Sequence, residues 1–132
     1  MISGSYCCEA VKFELTAEPV MIGTCHCSRF RKVGASNLVF VKKDTLRWVQ
    51  GRDRIKVYEP VTPFKYARCF CEICSTPLGE ILSDEDSFPI SANLLDGGLK
   101  LQNKCHELVA EKPDWHDICD DAEQFDRHPV SS

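Results

Sequence analysis

Hydrophobic and polar residues alternate near the start of the chain: Val11, Phe13 and Leu15 are interleaved with Lys12 and Glu14, the period of a strand with one buried face. Apolar and β-branched runs at Leu38 to Val41, Leu46 to Val49, Ile55 to Tyr58, Phe64 to Phe70 and Leu99 to Leu101 predict further strands. Turn-rich pieces such as Gly51-Arg52-Asp53 and Asp96-Gly97-Gly98 separate them. No stretch of about 12 residues carries a helical stripe. The helical candidates are single turns around Ser28 to Val33 and Pro113 to Ile118. The pattern predicts a small, mainly β fold without internal repeats. The stretch from Asp120 to Asp126 is acidic and reads as a solvated surface piece, with Pro129 to Ser132 as a frayed end.

Length narrows this to one domain, because 132 residues suit one hydrophobic core and are short for two. Lys and Arg number 16 against 20 Asp and Glu, a net charge of -4. No basic stripe breaks that balance, which argues against nucleic acid as a partner. No run approaches the roughly 18 apolar residues of a membrane span, and the start lacks a basic region followed by an apolar one. The expectation is a soluble, cytoplasmic protein that does not engage membranes.

The nine cysteines change the picture most. A secreted disulfide framework and reduced thiols or metal-binding thiolates are the competing readings. The odd count, the missing leader and the spacings Cys25-x-Cys27 and Cys71-x-x-Cys74 favour the second. Residues two apart on an extended segment share a face, so Cys25 and Cys27 point at one place, while Cys71 and Cys74 suit a tight knuckle. The knuckle pair by itself fits a metal, inert thiols or redox chemistry, although the βαβ surroundings of a thioredoxin-like motif are missing.

Several short motifs then occur in a telling order. They are Gly4-Ser5-Tyr6-Cys7-Cys8-Glu9, Cys25-His26-Cys27-Ser28-Arg29-Phe30-Arg31-Lys32, Phe70-Cys71-Glu72-Ile73-Cys74-Ser75, then His106, Lys112 and Trp115, and finally Gln124-Phe125. Together, from Gly4 to about Asp126, they resemble the glutathione-dependent formaldehyde-activating enzyme family, grouped with centromere protein V. The resemblance implies a β-tent type of fold, coiled antiparallel sheets with short helical turns. It also implies two zinc sites. A structural one would fall on Cys8, Cys71 and Cys74, and one linked to chemistry on Cys25 and Cys27.

Two positions depart from the family pattern. Tyr6 stands where the first structural cysteine belongs and Phe30 where the third catalytic cysteine belongs. Phenylalanine has no lone pair, and a phenol ionises near pH 10, so fewer than two zinc ions are expected. Cys69 is a candidate replacement ligand for the structural site. Strand parity disfavours Cys7, which would share a face with Val11 and Phe13. His26 would alternate away from its flanking cysteines and serve packing or hydrogen bonding, and Cys105 and Cys119 read as buried thiols. Trp48 and Trp115 read as core or cleft walls.

The resemblance implies carbon–sulfur lyase chemistry, in which the thiolate of glutathione on zinc meets formaldehyde to give S-hydroxymethylglutathione. Arg31 and Lys32 would hold the carboxylates of glutathione or another small thiol, since arginine forks match carboxylates. The alternative for these cations is a solvated basic turn. Phe30 and Tyr6 set against the lyase a second expectation, a non-catalytic binding or interaction module on the same scaffold.

Overall fold

A computed structural model describes residues 1–128; the expected frayed end at Pro129 to Ser132 lies outside them. In chain order the strands are β1 (Ile2–Ser5), β2 (Lys12–Leu15), β3 (Met21–Cys25), β4 (Asn37–Lys42), β5 (Leu46–Gln50), β6 (Ile55–Tyr58), β7 (Arg68–Cys71), β8 (Pro77–Gly79), β9 (Ser87–Ser91), β10 (Asn103–Glu107) and β11 (Glu123–Gln124), with one short helix, α1 (Ser28–Lys32). The fold is mainly β, as expected. Three sheets are built in the orders β1-β2-β5, β11-β10-β3-β4-β9 and β6-β7-β8.

The alternation in β2 does what its period demands: Val11, Phe13 and Leu15 are buried and Lys12 is exposed. Register pairs Gly4 of β1 with Phe13, whose ring crosses the strand so closely that a Cβ on Gly4 would sit 2.2 Å from it. Trp48 of β5 packs edge-on against the other side of Phe13, with ring centroids 6.2 Å apart. Gly51 turns β5 toward β6 with φ 80, where its missing side chain leaves room for the Ala10 carbonyl.

Pairing is antiparallel throughout the two three-stranded sheets. The five-stranded sheet is mixed, because β10 runs parallel to both β3 and β11, while β3–β4 and β4–β9 are antiparallel. Pro89 in β9 is tolerated because that strand lies at the end of the sheet order. One apolar core, including Ile2, Phe13, Val39, Cys71, Leu78 and Ile90, joins residues of all three sheets.

Two expected strands differ. Of the run Phe64 to Phe70 only the last three residues enter a sheet, in the strand Arg68–Cys71; Phe64 and Tyr66 instead fold over α1, meeting Arg29 and Phe30. Leu99 to Leu101 is irregular, since the Lys100 N–H is taken by the Glu18 carboxylate at 3.2 Å rather than by a ladder, and the strand starts at Asn103. The Pro113 to Ile118 piece is a single turn closed by His116 N–H on the Pro113 carbonyl, 3.1 Å. The acidic stretch is exposed, yet β11 and a Phe125 N–H bond to the His106 carbonyl (2.8 Å) tie it to the large sheet.

Candidate functional site

The first cluster forms where the turn after β1 meets the knuckle after β7. Ser75 N–H donates to the Cys71 carbonyl (2.9 Å) and Cys71 N–H to that of Thr76 (3.1 Å), which coils the chain tightly around Cys74. Across from it, Glu9 N–H closes a turn on the Tyr6 carbonyl (2.9 Å) and delivers Cys8. The sulfurs of Cys8, Cys71 and Cys74 all lie within 4.8 Å of one another. Sulfurs each about 2.3 Å from a tetrahedral zinc would be ~3.8 Å apart, and Cys8 Sγ and Cys71 Sγ are 3.7 Å apart. The donor set and its spacing therefore fit a thiolate-bound metal ion.

Electrostatics at this cluster favour the Cys74 thiolate over that of Cys8. Burial opposes ionisation of Cys74, but the Thr76 hydroxyl (3.0 Å) and N–H, with help from Cys8, outweigh it and bring the thiol down to about 6. At Cys8 the Ala10 N–H favours the thiolate, yet burial and hydrogen sharing with Cys74 and Cys71 leave its pKa raised. Cys69 stays out of the cluster. It is buried, which raises its pKa, and its sulfur is met by the N–H groups of Leu82 and Ile81. Cys7 also stays out, for a reason other than strand parity: residues 6–10 form a turn, and Cys7 is exposed with its N–H held by Thr76 Oγ1 at 3.1 Å. Tyr6 is buried to 2% exposure and its hydroxyl has no hydrogen-bond partner. Burial, then the charge of Cys71, Cys69, Cys74 and Cys8, pushes its ionisation far above the usual phenol range.

A second thiol pair sits where β3 runs into α1. Cys25 and Cys27 are both buried and share a hydrogen. Donation from Cys25, opposed by burial but aided by the N–H groups of Phe30 and Arg29, brings Cys27 down to about 6. The same shared hydrogen, then burial, pushes Cys25 up. Cys27 Sγ caps α1 by accepting the Phe30 N–H at 3.4 Å. Among the described residues, no third His, Cys, Asp or Glu donor joins this pair. The Phe30 ring instead packs with Cys25, Cys27 and Leu38 in a small apolar cluster and meets Tyr66 at 4.8 Å. Two thiols against a hydrocarbon face do not fit a zinc ion, which takes three or four protein donors.

Beyond Phe30 opens a cavity of about 660 Å³. Arg29, Lys32 and Arg68 line it with Phe30, Phe64 and Phe70, and no carboxylate residue is among its lining residues. Arg68 stacks over Phe30 at 4.5 Å and over Tyr66 at 5.1 Å, and burial lowers its pKa. Arg31, expected at such a site with Lys32, is not among the lining residues; its Nε is buried without a partner.

Behind the Cys25–Cys27 pair runs a polar chain. His26 Nε2 meets His106 Nδ1 at 2.8 Å, and His106 Nε2 meets Asp120 Oδ1 at 2.9 Å. Burial, then His106, His116 and Lys112, depresses His26 to about 4, against a weaker pull from Asp120. The expected packing or hydrogen-bonding role of His26 is met by His106, while Asp120, which holds the far side of His106, was not foreseen from the sequence, nor were Thr76 and Arg68. The period-two placement of Tyr66, Arg68 and Phe70 opposite Cys69 and Cys71 was the available signal for Arg68. Trp115 forms no wall of core or cleft, being 79% exposed and stacked on His116, and Cys119 is exposed rather than buried. All nine cysteines are free thiols.

A three-sheet β fold with a clustered trio of thiols across two chain turns defines a small thiolate-centred β protein. The family model for the glutathione-dependent formaldehyde-activating enzyme matches residues 1–111, so the chain belongs to that family. Among solved structures, the crystal structure of a Rhodobacter sphaeroides protein determined as a structural-genomics target is similar in fold, with a TM-score of 0.58 and 23% identity over 74% of this chain and 91% of that one. Among curated proteins none matches the sequence. Among the described residues, no helix is long and apolar enough to cross a membrane.

Proposed function

We propose that the chain binds glutathione, or a small thiol of the same charge pattern, in the cavity beyond Phe30, and that it advances the family's carbon–sulfur chemistry little or not at all. The observation that carries the binding reading is the cavity's lining: three cations, aromatic faces and no acid. Glutathione carries two carboxylates and one ammonium group, and a guanidinium partly withdrawn from water, as Arg68 is, engages a carboxylate more strongly than an exposed cation does. Family membership makes glutathione the reference ligand, and the thiolates require a reducing compartment such as the cytoplasm.

The low turnover follows from Phe30. Zinc in such chemistry keeps a thiol deprotonated and positions it. Cys25 and Cys27 supply two donors where a catalytic zinc uses three and keeps one place open. The metal centre at Cys8, Cys71 and Cys74 is the one expected to fill, giving about one zinc per chain when the protein is made under reducing conditions. The test combines calorimetry with glutathione, exchange spectroscopy on the glutathione–formaldehyde equilibrium and elemental analysis, for wild type and Phe30→Cys. Wild type is expected to bind glutathione without accelerating exchange, and Phe30→Cys to gain a zinc equivalent. Strong acceleration by wild type holding two zinc ions sinks the degenerate-site reading. Absence of glutathione binding removes the cavity assignment and leaves the non-catalytic scaffold, favoured by the same Phe30.

A further inference from the structure

The thiolate centre at the knuckle is one donor short in a way that the surrounding residues do not repair. A zinc ion held for structure alone takes four protein donors, whereas three donors leave a position for a ligand from outside. Cys8, Cys71 and Cys74 are the three. The nearest cysteines in sequence stay outside the trio, Cys69 buried in the core and Cys7 exposed. Among the described residues, the Thr76 hydroxyl is taken up by Cys74 Sγ and the Cys7 N–H, and the remaining candidate is Tyr6. Its ring belongs to the apolar core, and its hydroxyl is buried with no partner. A buried hydroxyl that nothing satisfies is destabilising, so a group is wanted beside it. Cys8 and Cys74 are only half-buried, so the trio is within reach of solvent.

We infer that the Cys8–Cys71–Cys74 centre is a ligand-binding metal site rather than a closed structural one, its fourth position taking a small thiol from solution. A thiol suits the place because three soft sulfur donors select a soft metal environment and a fourth sulfur completes it. On binding, the thiol's sulfur donates an electron pair to the ion and its proton leaves to bulk water, so no oxidant or reductant is involved. The neutral Tyr6 hydroxyl hydrogen-bonds at the occupied site and does not itself ligate. This site is separate from the cavity beyond Phe30, and failure of glutathione to bind in that cavity leaves it standing.

Cobalt(II) loaded into the reduced full-length protein reads the thiolate count through the near-ultraviolet sulfur-to-metal charge-transfer band. Titration with 2-mercaptoethanol is expected to raise that band in wild type by roughly one third, four thiolates against three, with cobalt retained through gel filtration. Tyr6→Cys, supplying the fourth thiolate from the chain, is expected to start at the higher intensity and not respond. Tyr6→Phe is expected to keep the response with weaker apparent affinity for the thiol. A wild-type band that does not move while cobalt is retained overturns the inference, because the fourth position is then filled from within. Loss of cobalt to the thiol, or failure of wild type to bind cobalt at all, overturns it equally. If Tyr6→Cys does not fold, the wild-type titration alone still decides.

Discussion

At the scale of single residues, two side chains near the thiolate centre hold backbone conformations that suit glycine. Glu9 has φ 59 and Ser75 has φ 65, in the left-handed region where a Cβ crowds the following carbonyl and costs roughly 1–2 kcal/mol. Both turns are fixed from outside: Glu9 by the hydrogen bond to Tyr6 and Ser75 by the one to Cys71. Ser75→Gly and Glu9→Gly are therefore each expected to stabilise the fold by about 0.5–1 kcal/mol, the gain being trimmed by the greater freedom of glycine in the unfolded chain. Thermal melts of the metal-loaded proteins measure this. A lowered melting temperature in both variants shows that the side chains contribute more than the backbone loses.

At the scale of elements, the loop between β3 and α1 is held from behind by the His26–His106–Asp120 chain, and this makes its stability depend on pH in a stated direction. His26 is depressed from 6.5 to about 4 in the folded protein, so the unfolded chain takes up that proton first. Stability from this group is fully present above about 6.5, falls as pH is lowered toward about 4, and is constant below. His26→Gln, which keeps a donor near Nε2 but does not titrate, is expected to lose stability relative to wild type at pH 7, with the gap narrowing by pH 4. Urea unfolding at the two pH values checks it, metal loss being common to both proteins; a constant gap rules the argument out. The alternation of β2 and the compact apolar runs of β4, β5 and β6 were legible in the sequence because their inward faces are set locally. β3, β9 and β10 were not, since Met21–Cys25, Ser87–Ser91 and Asn103–Glu107 mix small, polar and apolar residues and become strands through the neighbours they pair with. The thiolate trio was legible only through ordered family motifs. Spacing pairs Cys71 with Cys74, but nothing local joins them to Cys8, 63 residues from Cys71. Cys69 looked available because it lies two residues before Cys71; the register shift between Cys69 and Phe70 in the pairing of β7 with β8 interrupts that simple alternation, and the sequence does not show it.

At the scale of the whole molecule, the thiolate centre joins the first hairpin to the sheet formed by β6, β7 and β8, which otherwise meet through apolar packing and the Cys7 N–H bond to Thr76 Oγ1. Cys74→Ala is expected to lose the metal and, with it, much of the stability, given that structural zinc contributes on the order of ten kcal/mol in small zinc peptides. Metal analysis beside a melt tests it, and an unchanged result in both rejects the centre as a metal site. The parallel pairing of β10 with β3 has a consequence for how the chain is made. Register sets His106 beside Thr24 and Glu107 beside Cys25, and the His26 N–H finds its acceptor on the Glu107 carbonyl. During synthesis β3 leaves the ribosome long before β10, so one edge of the strand that carries Cys25 waits bare until about 80 further residues have been translated. A nascent or truncated chain ending before Asn103 therefore presents an open β-edge next to two unprotected thiols, a template for pairing with another chain.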